Sequence, residues 1–316
     1  MATDPTLAAT HGGSGWLPRN GDLRTELAAG QLWHRCGYNS EWGVLREVLL
    51  SWPGEELNYS EPPNRQLMHA RPDLEELRRQ ARNLAQFYEG QGVTVHFARP
   101  SLLPPPNFLF MRDLFWATPE GVVLARPAAA QRAGEERFAQ EALAQLGAPV
   151  ILHPRGIATF EGADALWLNP QTVLLGIGVR SNRAAMAQLT PLVNELGAEL
   201  IAVPLPSGVQ HLLGVVNFVA AELAVVHGGQ ADGQLLSLLA AKGIETIVLA
   251  PDEEVTAKLG MNFVTLAPRR IVMPAGCPGI KNRLGAAGIA CAEIEVGEYL
   301  KAAGGLACLT GILRRE

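Results

Sequence analysis

Five stretches of this chain carry apolar residues at helical spacing, and each of them runs into a glycine. They are "LEELRRQARNLAQFYEGQG", "GEERFAQEALAQLG", "NRAAMAQLTPLVNELG", "ADGQLLSLLAAKG" and the shorter "IKNRLGAAG". The glycines are Gly92, Gly147, Gly197, Gly243 and Gly288, spaced 55, 50, 46 and 45 residues apart. Glycine takes the left-handed backbone that ends a helix at little steric cost. After each comes a short β-rich run: "VTVHFARP", "PVILHP", "ELIAVPLP", "ETIVLAP" and "ACAEIEV". A pair of strand-like runs joined by a turn then follows, in "FLFMRDLFWATPEGVVLARP", "FEGADALWLNPQTVLLGIG", "GVVNFVAAELAVVHGG" and "NFVTLAPRRIVMPAG". The fifth pair needs both parts of "CLTGILRR" and "GVLREVLLSWP", one from the end of the chain and one from near its start.

The chain thus repeats one strand–strand–helix–strand unit five times. A unit this small cannot bury its own apolar face, so the copies share a core. Pairing the last strand with the N-terminal segment closes a ring. The expected fold is α/β: a five-bladed α/β propeller with pseudo-fivefold ββαβ repeats around a central axis. A doubly wound parallel sheet is the rival, but paired strands with two- to four-residue turns read as antiparallel hairpins rather than crossovers. Residues 1–30 read as a flexible N-terminal segment, and residues 31–316 as a single catalytic domain.

Composition narrows the partners. Of the 316 residues 48% are apolar and 18% charged, enough for a large core, and the net charge of -5 argues against a phosphate-backbone partner. No nucleic acid and no membrane are expected, because the apolar runs are short and broken by Gly or Pro. The start of the chain lacks the basic and apolar regions of a signal peptide. Cys36, Cys277, Cys291 and Cys308 are sparse and show no metal-ligand spacing. Free thiols in a reducing cytoplasm are therefore expected, with no metal and no cofactor.

The first strand of four units opens near an ionisable or nucleophilic residue: Asp113 in "NFLFMRD", Glu161 in "FEGAD", His211 in "QHLLGVVNF" and Cys308 in "LACLTG". The fourth unit, "MNFVTL", has none. Taken singly, each has a bland reading. A lone cysteine is more often core than nucleophile, a lone histidine more often structural, and Glu161 and Asp164 could shape a turn. Equivalent placement in a repeat changes this, because the positions converge at one end of the axis. A thiol beside an imidazole suggests a nucleophile with an acid/base partner. Two carboxylates suit a planar cation such as a guanidinium, whose fork of donors pairs with them. His34, His69, His96, His153 and His227 have no partners at matched positions and are set aside.

"NFLFMRD", "TFEGADALWL", "VRSN", "HLLG" and "CLTGILRR", in this order, resemble the guanidine-modifying superfamily of the pentein fold. That superfamily includes arginine deiminases, dimethylarginine dimethylaminohydrolases and amidinotransferases. The resemblance runs from about Tyr38 to the end of the chain and implies the same five-bladed propeller. It also implies that Cys308 is the nucleophile, His211 the general acid/base, and Glu161 the carboxylate that holds the guanidinium and orients the histidine. Asp113 matches the second guanidinium-binding carboxylate. Arg180, in "VRSN", and Arg132 match arginines that bind the substrate's α-carboxylate, and Asn107 a further contact. Asp164 and Leu213 complete the expected substrate-binding set.

The implied reaction passes through a covalent Cys-thiouronium and gives citrulline plus an amine or ammonia. Arginine deiminases and many amidinotransferases carry an acid two places after the histidine, where this chain has Leu213. An unpaired N–H donor in a dry pocket costs about 1–3 kcal/mol, whereas an alkylated nitrogen pays no such penalty. A methylarginine-like substrate is therefore expected, with amidino transfer to an acceptor amine or deimination of free arginine as alternatives. The residue before the nucleophile, Ala307, also departs from the histidine of many relatives. The expected partner is a small guanidino substrate. The sequence leaves the oligomeric state open, a homodimer being compatible with it.

Overall fold

The computed structural model describes residues 6–316. β1 (Leu45–Ser51) runs parallel to β2 (Thr94–Ala98), with the helix Leu74–Gly90 crossing between them. Four further units follow the same plan: β3 (Phe115–Thr118), β4 (Gly121–Leu124) and β5 (Val150–Leu152); β6 (Ala165–Asn169), β7 (Thr172–Ile177) and β8 (Glu199–Pro204); β9 (Val216–Ala220), β10 (Leu223–His227) and β11 (Glu245–Leu249); β12 (Val264–Ala267), β13 (Arg270–Pro274) and β14 (Ala290–Ile294). In each, the first two strands form an antiparallel hairpin and the third lies parallel to the second. Helices Glu135–Leu146, Arg183–Glu195, Gly233–Ala241 and Pro278–Ala286 make the crossovers.

The first unit takes its missing strand from the far end of the chain. β15 (Gly311–Arg315) pairs antiparallel with β1, setting Ile312 opposite Val48 and Gly311 opposite Leu49. Five three-stranded sheets result, and β15 meets β3, β9 meets β12 and β12 meets β1. The fold is the five-bladed α/β propeller. All five helix-ending glycines read from the sequence have positive φ, between 74° and 82°, so a side chain at any of them would be strained.

Burial follows position in the blade. β3, β4, β9 and β10 are buried along their whole length, whereas β2, β8, β11 and β14 are mostly exposed or partly buried. The innermost strands pack against neighbouring blades, as β15 does on β3 and β9 on β12, while the crossover helices pack on the outer strands, as Arg183–Glu195 does on β8. At the centre, Trp116 and Trp167 stack with ring centroids 5.2 Å apart.

Two expectations need correction. The first five residues of the expected flexible lead-in lie outside the described residues, but Leu23–Ala29 is a helix. Asp22 caps it by accepting from the Thr25 N–H, and Leu27 reaches the core. Second, "FLFMRD" is not strand: Pro106–Leu109 and Met111–Leu114 are single helical turns, and β3 begins only at Phe115. β3 and β4 are fully buried and carry no ionisable side chain, so this hairpin has no place for a charge. The polar residues sit instead on the turn at the strand's entrance.

Candidate active site

Each blade admits its first strand through a tight turn, and each turn delivers one polar side chain. Asp113 lies on Met111–Leu114 before β3, Glu161 opens the turn Gly162–Asp164 before β6, and His211 opens Leu212–Gly214 before β9. Cys308 lies on Leu306–Leu309 before β15. The fourth blade, which offered no ionisable group, contributes Asn262 two residues ahead of β12. The turns are pressed together. A Cβ built on Gly162 would stand 2.2 Å from the Phe115 carbonyl oxygen and 2.6 Å from that of Arg112, so only glycine lets the second and third blades approach this closely.

His211 Nε2 lies 2.7 Å from Glu161 Oε2, and its Nδ1 3.8 Å from Asp113 Oδ1. Arg132 Nη1 donates to Asp113 Oδ2 at 2.7 Å and to Glu161 Oε2 at 3.1 Å. Its Nε and Nη2 donate to Glu135 Oε2 at 3.0 and 2.8 Å. Arg180 Nη1 donates to both Glu161 oxygens, at 3.3 and 3.1 Å. Asp113 Oδ1 is buried and has no hydrogen-bond partner among the described residues.

Cys308 borders two hollows. One is a narrow cleft lined by Asn107, Asp113, Arg132, Arg180 and Gln210. The other is a cavity of about 560 Å³ whose wall includes His211, Leu213, His227, Leu259, Met261 and Asn262. Leu213 therefore does face a pocket beside the thiol. Asn107 also donates to the Gln66 carbonyl at 2.5 Å, which fixes it in the wall of the cleft. Asn262 Nδ2 donates to Cys308 Sγ at 3.3 Å.

Two sequence expectations change here. Arg132 was expected at the substrate's α-carboxylate, but all three of its guanidinium nitrogens are engaged by Asp113, Glu161 and Glu135. Three buried carboxylates need a counter-charge, and Arg132 supplies it. Asp164 was placed with the substrate-binding residues, yet its oxygens accept from Ser181 Oγ at 2.6 Å and from the Leu212 N–H at 2.9 Å. It fixes the backbone beside His211. Sequence reasoning missed Asn262, Glu135 and Gln210. For Asn262 the signal lies in its place at the matched position of the fourth repeat, where the chain carries an amide rather than an ionisable group.

The electrostatics follow from this packing. Burial opposes a charged imidazole at His211, but Asp113, the Glu161 hydrogen bond and Asp164 outweigh it and raise its pKa to about 9. Burial also opposes ionised Glu161, but Arg132, His211 and Arg180 hold it well below the usual carboxylate range. Burial, assisted by Asp113, pushes the Cys308 thiol up to about 11, against the pull of the Gly305 backbone and Asn262. Burial likewise raises Asp164 to about 6 and Glu135 to about 7. At neutral pH the site pairs a thiol with an imidazolium. Asp113, Glu161 and His211 bring ligand atoms within 4.8 Å of one another, the donor types a metal takes. Arg132 and Arg180 already neutralise both carboxylates.

The family model for arginine deiminase matches residues 76–227. An N(G),N(G)-dimethylarginine dimethylaminohydrolase from Streptomyces coelicolor is 28% identical over 66% of this chain and 75% of its own length. The solved dimethylarginine dimethylaminohydrolase of Pseudomonas aeruginosa, complexed with citrulline, superposes with a TM-score of 0.70 at 17% identity, over 86% of this chain and 100% of that one. An amidinotransferase of saxitoxin biosynthesis from Microseira wollei gives 0.71 at 15% identity, over 89% and 97%. In sequence and in fold the chain is similar to members of the guanidine-modifying pentein superfamily, and these likenesses support that family. The matched family model covers the blades that carry Asp113, Glu161 and His211 and ends at His227. Asn262 and Cys308 lie beyond it, and the fold brings them to the same end of the axis.

Proposed function

We propose that this pentein is a hydrolase of an N-substituted guanidine, of the methylarginine type, that works through a covalent intermediate on Cys308. The observation that carries this reading is the buried, unpartnered Asp113 Oδ1, which stands in the cleft beside Cys308 and 3.8 Å from His211 Nδ1. An orphaned carboxylate oxygen next to a thiol is a seat for a guanidinium N–H.

In this mechanism the bound cation lowers the thiol pKa, and Cys308 gives up its proton to solvent. Sγ bonds to the guanidinium carbon. The C–N bond to the substituted nitrogen breaks as His211 hands it a proton from Nδ1, because Nε2 is held by Glu161. An amine leaves and a thiouronium remains on Cys308. Water then attacks the same carbon and gives one proton to His211, the C–S bond breaks as the departing thiolate takes up the remaining hydroxyl proton, and citrulline departs. A positioned proton transfer of this kind contributes about a hundred- to ten-thousand-fold. Arg180, with only one terminal nitrogen tied to Glu161, is the arginine assigned to the substrate's α-carboxylate. Leu213 disfavours an unsubstituted guanidinium nitrogen on its side of the thiol. Incubation with asymmetric dimethylarginine, arginine and agmatine tests the reading; no citrulline, amine or ammonia from any of them sinks it.

One observation favours amidino transfer as a second reading. The cavity of about 560 Å³ that Cys308 also borders has room for an acceptor amine alongside the intermediate. Ornithine released from arginine only when glycine, lysine or hydroxylamine is supplied would favour transfer over hydrolysis.

A further inference from the structure

His34 and His96, which had no matched partners in the repeat, share one in the fold. His34 Nε2 and His96 Nε2 both lie 2.6 Å from the same oxygen, Glu47 Oε1. Their rings meet edge-on, with centroids 5.7 Å apart. The three side chains come from three separate pieces of chain. Glu47 is on β1 and His96 on the adjoining β2, two residues along from Thr94, which pairs with Glu47. Residues i and i+2 of a strand share a face, so both side chains leave the sheet on one side. His34 comes from the segment before β1, pinned there by its N–H to the Gly147 carbonyl at 3.0 Å. The three ligand atoms lie within 4.8 Å of one another.

We propose that His34, Glu47 and His96 form a binding site for a divalent transition-metal ion of the Zn²⁺ class, separate from the guanidine site. Two imidazoles and a carboxylate are a donor set such ions take, with water completing the coordination. The carboxylate is buried while the two imidazoles are each 26% exposed, so an ion can enter from solvent and keep a water. Glu47 Oε2 faces Arg314 Nε at 3.5 Å, and that cation is in turn paired with Glu316. Oε1, turned away toward the histidines, is the oxygen left for the metal. A tetrahedral site with bonds of about 2.0–2.1 Å sets its donors wider apart than 2.6 Å, so binding spreads the two surface imidazoles slightly. Glu47 lies level with Arg314, toward the end of β15 away from Cys308, which keeps the ion out of the catalytic cluster. An ion here would tie the segment before β1 to the blade that closes the ring.

The test uses the full chain with Cys308→Ser, which removes the active-site thiol as a competing ligand. The protein is stripped with chelator and titrated with ZnCl₂ by calorimetry and by thermal unfolding. The expected result is one equivalent bound and a Tm that rises with free Zn²⁺, as ligand linkage requires. His34→Gln and His96→Gln each retain an N–H donor for Glu47 and so preserve the hydrogen bonds, but supply no imidazole. Each is expected to weaken Zn²⁺ binding at least tenfold and to abolish the Tm rise. Absence of binding in the folded parent, or binding unchanged in both Gln variants, overturns the site and leaves a hydrogen-bonded cluster only.

Discussion

Asn262 holds Cys308 by both ends of its amide. Its Nδ2 donates to Sγ at 3.3 Å, while its Oδ1 accepts from the N–H of Ala307 at 2.7 Å and of Cys308 at 3.3 Å. Gly305 makes room for this, since a Cβ there would lie 2.6 Å from Oδ1. Asn262 thus fixes the turn that carries the thiol and lowers the cost of ionising it. Asn262→Ala is expected to cut turnover about ten- to a hundredfold. It should also shift the pH profile of Cys308 alkylation by iodoacetamide upward, because a hydrogen bond that favours the thiolate is lost. An unmoved alkylation profile would mean that Asn262 only supports the turn.

The proposed chemistry needs a thiolate and an imidazolium together. With His211 raised to about 9 and Cys308 to about 11, the reactive pair is a minor form at neutral pH. On this basis kcat/KM should climb about tenfold per pH unit toward pH 9, level off, and fall above about pH 11. Stability moves the other way. Because the folded-state pKa of His211 lies above its ordinary value of 6.5, its contribution is complete below pH 6.5 and is lost as pH rises through about 9. The Tm gap between the parent and His211→Gln should narrow across that window. A gap that widens would refute the assigned direction.

The repeat made most of this architecture legible. Five glycines at near-equal spacing marked five helix ends, and all five have left-handed backbones. The closing of the first blade by β15 could be read because "CLTGILRR" and "GVLREVLLSWP" were each half of a pair. What could not be read was how charges are shared. Arg132 follows Asp113 by 19 residues and precedes Glu161 by 29, and sequence spacing says nothing of its reaching both. Asp164 stands three residues from Glu161, yet its oxygens turn away to Ser181 and the Leu212 backbone. Side-chain direction at a tight turn depends on packing between blades, which a periodic pattern does not encode.

Leu213 is the residue on which substrate choice is expected to turn. It is buried in the wall of the larger cavity beside Cys308 and His211. A carboxylate there could pair with an unsubstituted guanidinium nitrogen, removing a penalty of about 1–3 kcal/mol. Leu213→Asp should therefore raise the kcat/KM ratio of arginine over asymmetric dimethylarginine by about five- to a hundredfold. Parallel citrulline assays on the two substrates measure it. An unchanged ratio would show that Leu213 does not contact the reacting group.

Beneath the site, Glu41 joins the segment before β1 to two other blades. Its Oε2 accepts from Arg112 Nη2 at 3.0 Å, its Oε1 from the Trp167 N–H at 3.3 Å, and its own N–H donates to the Trp167 carbonyl at 3.1 Å. Both charged side chains are almost fully buried, 3% and 5% exposed. Breaking one half of such a pair leaves an uncompensated charge, at a cost of about 3–5 kcal/mol. Glu41→Ala should destabilise by that amount in chemical denaturation. The double variant Glu41→Leu with Arg112→Met, which removes both charges, should recover most of the loss. Arg112 also adjoins Asp113, so a shifted Arg112 should displace the carboxylate that seats the guanidinium. Glu41→Ala is therefore expected to raise KM even at temperatures where the protein remains folded. Destabilisation below about 1 kcal/mol, within the range of a solvent-exposed pair, would show that water reaches the Arg112 charge.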